Sequence, residues 1–166
     1  MATMQKITSN LWFEKQAEEA VKLYTSIFKN SKIERVTHYG KEGFEIHGMP
    51  DGFVMTIEFT LEGQTFVALN GGPYFKFNEA ISFIVNCETQ EEVDYYWNKL
   101  SEGGDPKAQM CGWLKDKFGL SWQVVPTLLT NLVDDPNSEK AQRATRAMLQ
   151  MKKLDIKTLE DAYNGK

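Results

Sequence analysis

The stretch AISFIVNCETQEEVDYYWNKL, residues 80–100, joins an alternating, strand-like run to an amphipathic helix. Residues 7–27, ITSNLWFEKQAEEAVKLYTSI, repeat that order. With a shift of 73 positions, the Glu-Glu pair at 18–19 falls on the pair at 91–92. Acidic residues suit the positive end of a helix dipole, so both pairs mark the start of a helix. An internal repeat of a strand followed by a helix therefore organises the chain.

Further strands are predicted after each helix. Runs of β-forming residues bounded by turn residues indicate strands near 33–39, 53–60 and 65–70 after the first helix. After the turn Gly103-Gly104-Asp105-Pro106, two or three short strands end at residues 120–125. The pattern predicts an α+β chain built from two βαβββ modules.

The remaining residues are predicted to be helical. Asp135-Pro136 reads as a helix cap followed by proline in the first helical position. The apolar stripe of this tail either packs on the chain or forms a dimer contact. We expect residues 1–166 to form a single domain, with modules at about 5–72 and 78–126 and a helical tail at about 127–165.

Composition excludes several classes of function. The 166 residues carry a net charge of −4, which argues against the basic surface that nucleic-acid binding requires. The longest apolar runs are too short to span a bilayer, so we expect no membrane partner. The opening residues have no long apolar core like that of a secretory signal, and we expect a cytoplasmic location. Two cysteines without a CxxC spacing cannot form a zinc ribbon or finger.

Three segments carry a resemblance to a known family. They are residues 70–83, NGGPYFKFNEAISF; residues 91–97, EEVDYYW; and residues 111–123, CGWLKDKFGLSWQ. With the paired βαβββ modules, they resemble the PhnB-like branch of the vicinal oxygen chelate superfamily. That superfamily includes glyoxalase I, extradiol dioxygenases and bleomycin-resistance proteins, and the branch is described as 3-demethylubiquinone-9 3-methyltransferase-like. The C-terminal helices also resemble the tail of this branch.

The resemblance implies a fold and gives the positions at which the superfamily holds its metal. It implies a glyoxalase-like, eight-stranded, half-open barrel with a cleft, and a homodimer. Metal enzymes of the superfamily place one ligand on each of four strands. By the resemblance these positions fall near Ser9, Ala68, Ala80 and Gln123, which do not form a His/Glu set. We therefore predict no protein-bound metal and no cofactor.

Alternation along the strands selects candidate ligand-binding residues. We predict that Val67, Leu69, Ile81, Phe83, Val85 and the apolar face of the last strand lie beneath the helices. The opposite faces then line the cleft with a few neutral polar groups among apolar ones. The predicted cleft residues are Ser9, Asn70, Ser82, Cys111 and Gln123, with apolar Leu11, Phe13 and Phe66, and with Trp113 at the rim. Alternatively, Ser82 and Gln123 bond only to each other or to the backbone.

Several further residues have both a functional and a structural interpretation. Cys111 is either a nucleophile or an inert thiol. His38 and His47 are either general bases or structural residues. Glu58 is either a cleft acid or part of a solvated strand face. The glycine pairs read as turns rather than as the phosphate-binding loop of a dinucleotide fold, and the sequence shows no S-adenosylmethionine motif.

The expected function is therefore binding of a small organic molecule in the cleft, or its modification without a bound metal. The family description implies methyl transfer to a demethylubiquinone-type ring. A non-catalytic, sequestering protein of the bleomycin-resistance type is the alternative. A metal-dependent lyase or dioxygenase becomes the alternative if the ligand positions above are misaligned. The catalytic residues, and whether the chain is an enzyme, remain open.

Overall fold

A computed structural model of the protein describes residues 5–166. Residues 1–4, part of the opening segment considered above for a secretory signal, lie outside the described residues. The chain forms two compact units, unit 1 up to Phe77 and unit 2 from Asn78 to Lys166. That the modules build one domain stays a prediction.

The described part of unit 1 forms one four-stranded sheet with the strand order β1-β4-β3-β2. Its elements are β1 (Ser9–Phe13), α1 (Ala17–Ile27), β2 (Lys32–His38), α2 (Phe44–His47), β3 (Val54–Leu61) and β4 (Gln64–Asn70). Strand β1 runs parallel to β4, and the other pairs are antiparallel. Apart from the short helix α2, this is the predicted βαβββ order.

Unit 2 contains a three-stranded sheet with the order β5-β7-β6 and a helical tail. Its elements are β5 (Ser82–Cys87), α3 (Gln90–Ser101), β6 (Trp113–Lys115), β7 (Ser121–Pro126), α4 (Leu128–Val133), α5 (Ser138–Met148) and α6 (Ile156–Asn164).

The predicted α+β class with two modules and a helical tail is confirmed. The strand number differs, since residues 5–166 contain seven strands where the resemblance implies eight. In the second module the segment between α3 and β6 contains a 3₁₀ turn, Pro106–Ala108, and one isolated bridge between Met110 and Trp113.

The sheet of unit 1 is buried on the face that the sequence assigned to the cleft. Leu11, Phe13 and Phe66 are buried there, and Asn70 on the same face accepts a hydrogen bond from the first residue of α1. The opposite face, with Val67 and Leu69, is only half-buried. The face assignment is therefore wrong for unit 1, because the mixed set of side chains packs beneath α1.

The face assignment is confirmed for unit 2. Val85, Trp122 and Val124 are buried, together with the α3 residues Val93 and Trp97. Ile84, which alternates with Val85, is 56% exposed. The polar and apolar faces of the strands therefore lie as the sequence predicts. Ile81 is the exception: it precedes β5 and is 72% exposed, so its predicted place beneath the helices is wrong.

A one-residue slip in the repeat explains the difference between the units. The buried strand residues Leu11 and Phe13 correspond to Val85 and Cys87, a shift of 74. The helices still match at 73, because α1 starts four residues after Phe13 and α3 three residues after Cys87. Since successive strand residues point to opposite faces, a slip of one position reverses both faces.

The tail packs around its own apolar cluster of Leu129, Leu154 and Leu159. Helix α5 is capped by Asn137, whose side chain accepts from the backbone N–H of Lys140. The sequence placed this cap at Asp135, which instead accepts a hydrogen bond from the backbone of Asn137. Among the described residues, no helix has the length and apolar character needed to cross a membrane.

Candidate functional site

The side of the unit 2 sheet that faces away from α3 is termed the open face. By strand register it carries Ser82, Ile84 and Asn86 from β5, Ser121, Gln123 and Val125 from β7, and Trp113 and Lys115 from β6. Gln123 on the central strand pairs with Ile84 on one side and Trp113 on the other. Register partners have their Cβ atoms close enough to interact, so these three side chains form one row.

Gln123 and Ser82 form a neutral polar pair on the open face. The amide Nε2 of Gln123 donates to the Ser82 hydroxyl at 2.9 Å, and both residues are half-buried. This is the mutual bond that the sequence left as one alternative. It uses one of the two N–H groups of the amide, and an amide also has a carbonyl oxygen that accepts. The pair therefore retains hydrogen-bonding capacity for a ligand.

The positive charge of the open face is neutralised locally. The ammonium group of Lys115 forms an ion pair with Glu79. The hydrogen bond from Lys115 is the main reason why the pKa of the Glu79 carboxyl lies below its usual value. An exposed pair of this kind contributes little to stability, but it leaves the face close to neutral.

Ser121 lies between Ser82 and Lys115 in the strand register. The residue is 1% exposed, and its hydroxyl has no hydrogen-bond partner among the described residues. A buried hydroxyl without a partner is unfavourable and uncommon. Ser121 was not among the predicted site residues.

The turn that precedes Trp113 has an uncommon backbone conformation. Met110 and Trp113 exchange two backbone hydrogen bonds, at 3.1 and 2.8 Å, across a two-residue turn. The central residues have φ angles of 52° at Cys111 and 85° at Gly112, the pattern of a type I′ turn. A Cβ atom on Gly112 would lie 2.9 Å from the Val124 carbonyl oxygen, so only glycine fits there.

The β6–β7 hairpin is held by a buried carboxylate. Asp116 is 3% exposed; one of its oxygens accepts from the backbone N–H groups of Phe118 and Leu120. The other accepts from the indole N–H of Trp122 at 2.9 Å. The predicted hairpin is therefore present, and Asp116 fixes the two strands that carry Trp113 and Gln123.

Two of the predicted polar site residues belong to unit 1. Asn70 is fully buried: its Oδ1 accepts from the N–H of Ala17 at 2.9 Å, and its Nδ2 donates to the Val54 carbonyl at 3.0 Å. Helix α1 has no side-chain cap of its own, so Asn70 supplies one from β4. Ser9 is half-buried and pairs with Phe66, at the other end of the β1–β4 ladder.

The candidate general bases are either hydrogen-bonded or exposed, and the Cys87 thiol is buried. The Nδ1 atom of His47 accepts from the Met49 N–H, and Nε2 lies 3.2 Å from the Glu42 carbonyl, so both ring nitrogens have partners. His38 and Glu58 are exposed on β2 and β3. Burial raises the pKa of the Cys87 thiol to about 12, so this cysteine is no nucleophile at neutral pH.

The metal positions of the superfamily do not fit this chain. Ala68 is fully buried on the face beneath α1, and Gln123 lies on the open face of unit 2. Within residues 5–166, no three His, Cys, Asp or Glu side chains are grouped so that they could hold a metal ion.

Some residues at the site could not be found from local sequence. Gln90 donates to the Leu154 carbonyl at 3.2 Å and accepts from the Ile156 N–H at 2.8 Å, across more than sixty residues. No local pattern marks such a contact. The burial of Asp116 was also missed, although the hairpin spacing and the indole six residues later offered a signal.

The fold defines the class of protein. The fosfomycin resistance protein FosX from Listeria monocytogenes aligns with a TM-score of 0.50 at 14% identity, covering 78% of this chain and 97% of that protein. A protein from Pseudomonas aeruginosa aligns with a TM-score of 0.56 at 20% identity, covering 74% of this chain and 98% of that protein. The fold is a glyoxalase-like α+β fold.

The chain belongs to the 3-demethylubiquinone-9 3-methyltransferase family, whose model matches residues 5–125. The PhnB protein of Bacillus cereus is 38% identical, with a TM-score of 0.63, over 74% of this chain and 100% of that protein. No functionally curated protein matches the chain. The family match ends within β7, so it does not include the C-terminal helices.

Proposed function

We propose that the protein binds a small, uncharged, aromatic organic molecule on the open face of unit 2, without a protein-bound metal. The observation that carries this proposal is the neutral Gln123–Ser82 pair, flanked in register by the apolar Ile84 and the indole of Trp113. Small-molecule sites combine an apolar surface with a few neutral hydrogen-bonding groups. Asn70 is not part of the proposed site, since its side chain is buried and bonded within unit 1.

Binding without turnover is the first form of the proposal. The family description implies methyl transfer to a demethylubiquinone-type ring, which needs a group that removes a ring hydroxyl proton. Both nitrogens of His47 are engaged, and the Cys87 thiol has its pKa raised to about 12 by burial. On incubation with S-adenosylmethionine and a demethylated quinol, we expect no methylated product. Its formation would establish the enzyme and overturn this form of the proposal.

The binding test uses a neutral aromatic amide, 2-naphthamide, and its anionic analogue, 2-naphthoate. Calorimetric titration should give saturable binding of the amide and weaker binding of the acid. The double variant Ser82→Ala/Gln123→Ala should weaken amide binding by about fivefold, since a hydrogen bond contributes about 1 kcal/mol. The matched control Ser26→Ala/Gln64→Ala removes an exposed serine and glutamine from unit 1 and should leave binding unchanged.

Thermal unfolding separates a binding role from a packing role. A small change in Tm with loss of binding supports the proposal. A large fall in Tm with unchanged binding would show that the pair only supports the sheet. Elemental analysis of protein purified without metal affinity tests the remaining alternative, because stoichiometric zinc, nickel, iron or manganese would favour a metal-dependent lyase or dioxygenase. Native mass spectrometry of the same sample tests the homodimer that the resemblance implies.

A further inference from the structure

The segment between α5 and α6 contacts the turn that carries Trp113. The N–H of Cys111 donates to the Met151 carbonyl, and the N–H of Gly112 donates to the Lys152 carbonyl, both at 2.8 Å. These are the two N–H groups at the centre of the type I′ turn. The side chain of Leu154 closes over the same turn, since a Cβ atom on Gly112 would lie 3.0 Å from its Cδ1.

The same segment is fastened to the start of α3. Gln90 binds it at two points, donating to the Leu154 carbonyl and accepting from the Ile156 N–H. Lys153 forms an ion pair with Asp94 at 2.6 Å, and Asp94 also accepts from Gln90 at 3.1 Å. The segment thus joins the helix on one side of the sheet to the turn at its end.

We propose that the C-terminal tail is part of the ligand-binding face: it fixes the Met110–Trp113 turn and thereby sets the position of Trp113 beside Gln123, with Gln90 as the positioning residue. This inference rests on the proposed function for its consequence in binding. The part of the inference that concerns the position of Trp113 does not depend on any ligand. The left-handed conformation of Cys111, which non-glycine residues rarely adopt, is consistent with a turn held from outside by the tail.

The chemistry of the contact explains why Gln90 is suited to this role. A glutamine amide donates and accepts at once, so it satisfies the Leu154 carbonyl of the irregular segment and the N–H of Ile156, the first residue of α6. Removing the side chain leaves both backbone groups without that partner. The segment then loosens, and the turn loses the two carbonyls that hold its N–H groups.

The experiment uses the full-length protein labelled with fluorotryptophan and observed by fluorine NMR, with the Trp113 resonance assigned by Trp113→Phe. In Gln90→Ala we expect the Trp113 resonance to shift or broaden while the resonance of Trp12, in unit 1, stays in place. Lys153→Met, which breaks the ion pair with Asp94, should act in the same direction with a smaller effect. Glu91→Ala is the matched control, because Glu91 is the exposed neighbour of Gln90 on α3.

The binding readout uses 2-naphthamide. Gln90→Ala should weaken its binding by about fivefold at a temperature well below unfolding, as expected when an aromatic contact is misplaced. If wild-type protein does not bind the amide, the proposed function fails while the Trp113 resonance still decides the positioning role. An unmoved Trp113 resonance in both Gln90→Ala and Lys153→Met, with folded spectra, would overturn the inference.

Discussion

The two sheets use their polar side chains in opposite ways. In unit 1 the polar residue at the end of β4, Asn70, points beneath α1 and caps that helix. In unit 2 the polar residues Ser82 and Gln123 point away from α3 and lie half-exposed on the open face. Unit 1 thus uses the amide of Asn70 to hold a helix in place, and unit 2 leaves the amide of Gln123 available for a ligand. The comparison teaches that an internal repeat preserves the order of elements while the two modules use their polar side chains differently.

The largest expected effect is a loss of stability when the buried amide of Asn70 is removed, compared with removal of the half-exposed amide of Gln123. Asn70→Ala should lower the free energy of unfolding by about 3 kcal/mol, because it leaves the Ala17 N–H and the Val54 carbonyl without partners in a buried region. Gln123→Ala should lower it by less than about 1 kcal/mol, since its group is half-exposed. Urea denaturation measures both. Asn10→Ala, exposed on β1, is the control, and equal losses for Asn70 and Gln123 would contradict the comparison.

A second test concerns the buried side of the unit 2 sheet. Cys87 is fully buried with its pKa raised to about 12 by burial, so about one thiol in ten thousand is ionised at pH 8. Cys111 in the turn is half-buried. Alkylation by iodoacetamide, followed by peptide mass spectrometry, should modify Cys111 at least about 100-fold faster than Cys87. Denaturation should remove most of the difference, and comparable rates in the native protein would show that β5 is not packed as described.

A third test compares the acid stability of the C-terminal tail with that of the unit 1 sheet. Hydrogen bonds from Tyr163 to Asp135, from Lys153 to Asp94 and from Thr158 to Asp155 lower the pKa values of these carboxyls. A carboxyl whose pKa is lowered in the folded protein stabilises the fold fully above the pKa of the unfolded chain, near 4. This stabilisation is lost as the pH falls through the lower pKa of the folded protein.

The tail should therefore loosen below about pH 4, in advance of the unit 1 sheet. Hydrogen exchange measured by mass spectrometry at descending pH, with correction for the intrinsic exchange rate, follows both regions. Asp155→Asn should reduce this pH dependence, because asparagine still caps α6 but does not ionise. Simultaneous loss of protection throughout the chain would count against separate behaviour of the tail.

The smallest expected effect is at Ser121. Replacing it with alanine removes a buried hydroxyl that has no partner in the described part of the chain, so stability should stay unchanged or rise by about 1 kcal/mol. The control Ser82→Ala removes a hydroxyl that accepts from Gln123 and should be neutral or slightly destabilising. Thermal unfolding measures both variants. A loss above about 1 kcal/mol for Ser121→Ala would mean that the hydroxyl has a partner in solution.

The sequence predicts the order of elements well, and local patterns explain why. Alternation, helical periodicity and turn glycines identify the two modules because each signal is contained in a few neighbouring residues. Gly103 and Gly104 lie in the turn after α3 as expected, and a Cβ atom on Gly104 would lie 2.0 Å from the Lys115 carbonyl oxygen. Gly71 and Gly72 follow β4 directly and are not turn residues. The short helix α2, with four residues, was not predicted. Helix α4 lies within the tail predicted to be helical, although it was not predicted as a separate helix.

The candidate site was predictable only in unit 2. There, alternation separates Val85 from Ile84, and the burial of the two residues agrees with it. In unit 1 both strand faces are partly apolar, so the pattern does not tell which one lies beneath α1. Asn70 in particular resembles a ligand contact in sequence, whereas its partners Ala17 and Val54 lie far away along the chain.

The turn at Cys111 and Gly112 has a consequence for synthesis on the ribosome. Its partner carbonyls at Met151 and Lys152 are made about 40 residues later, so at bacterial or eukaryotic elongation rates they follow after roughly 2–8 s. Once β7 has been made, the nascent chain contains the sheet strands and Trp113 but, for the rest of that interval, lacks the tail segment that holds the turn. We therefore expect the open face to be the last part of the protein to mature, completed only once its C-terminal segment has been translated.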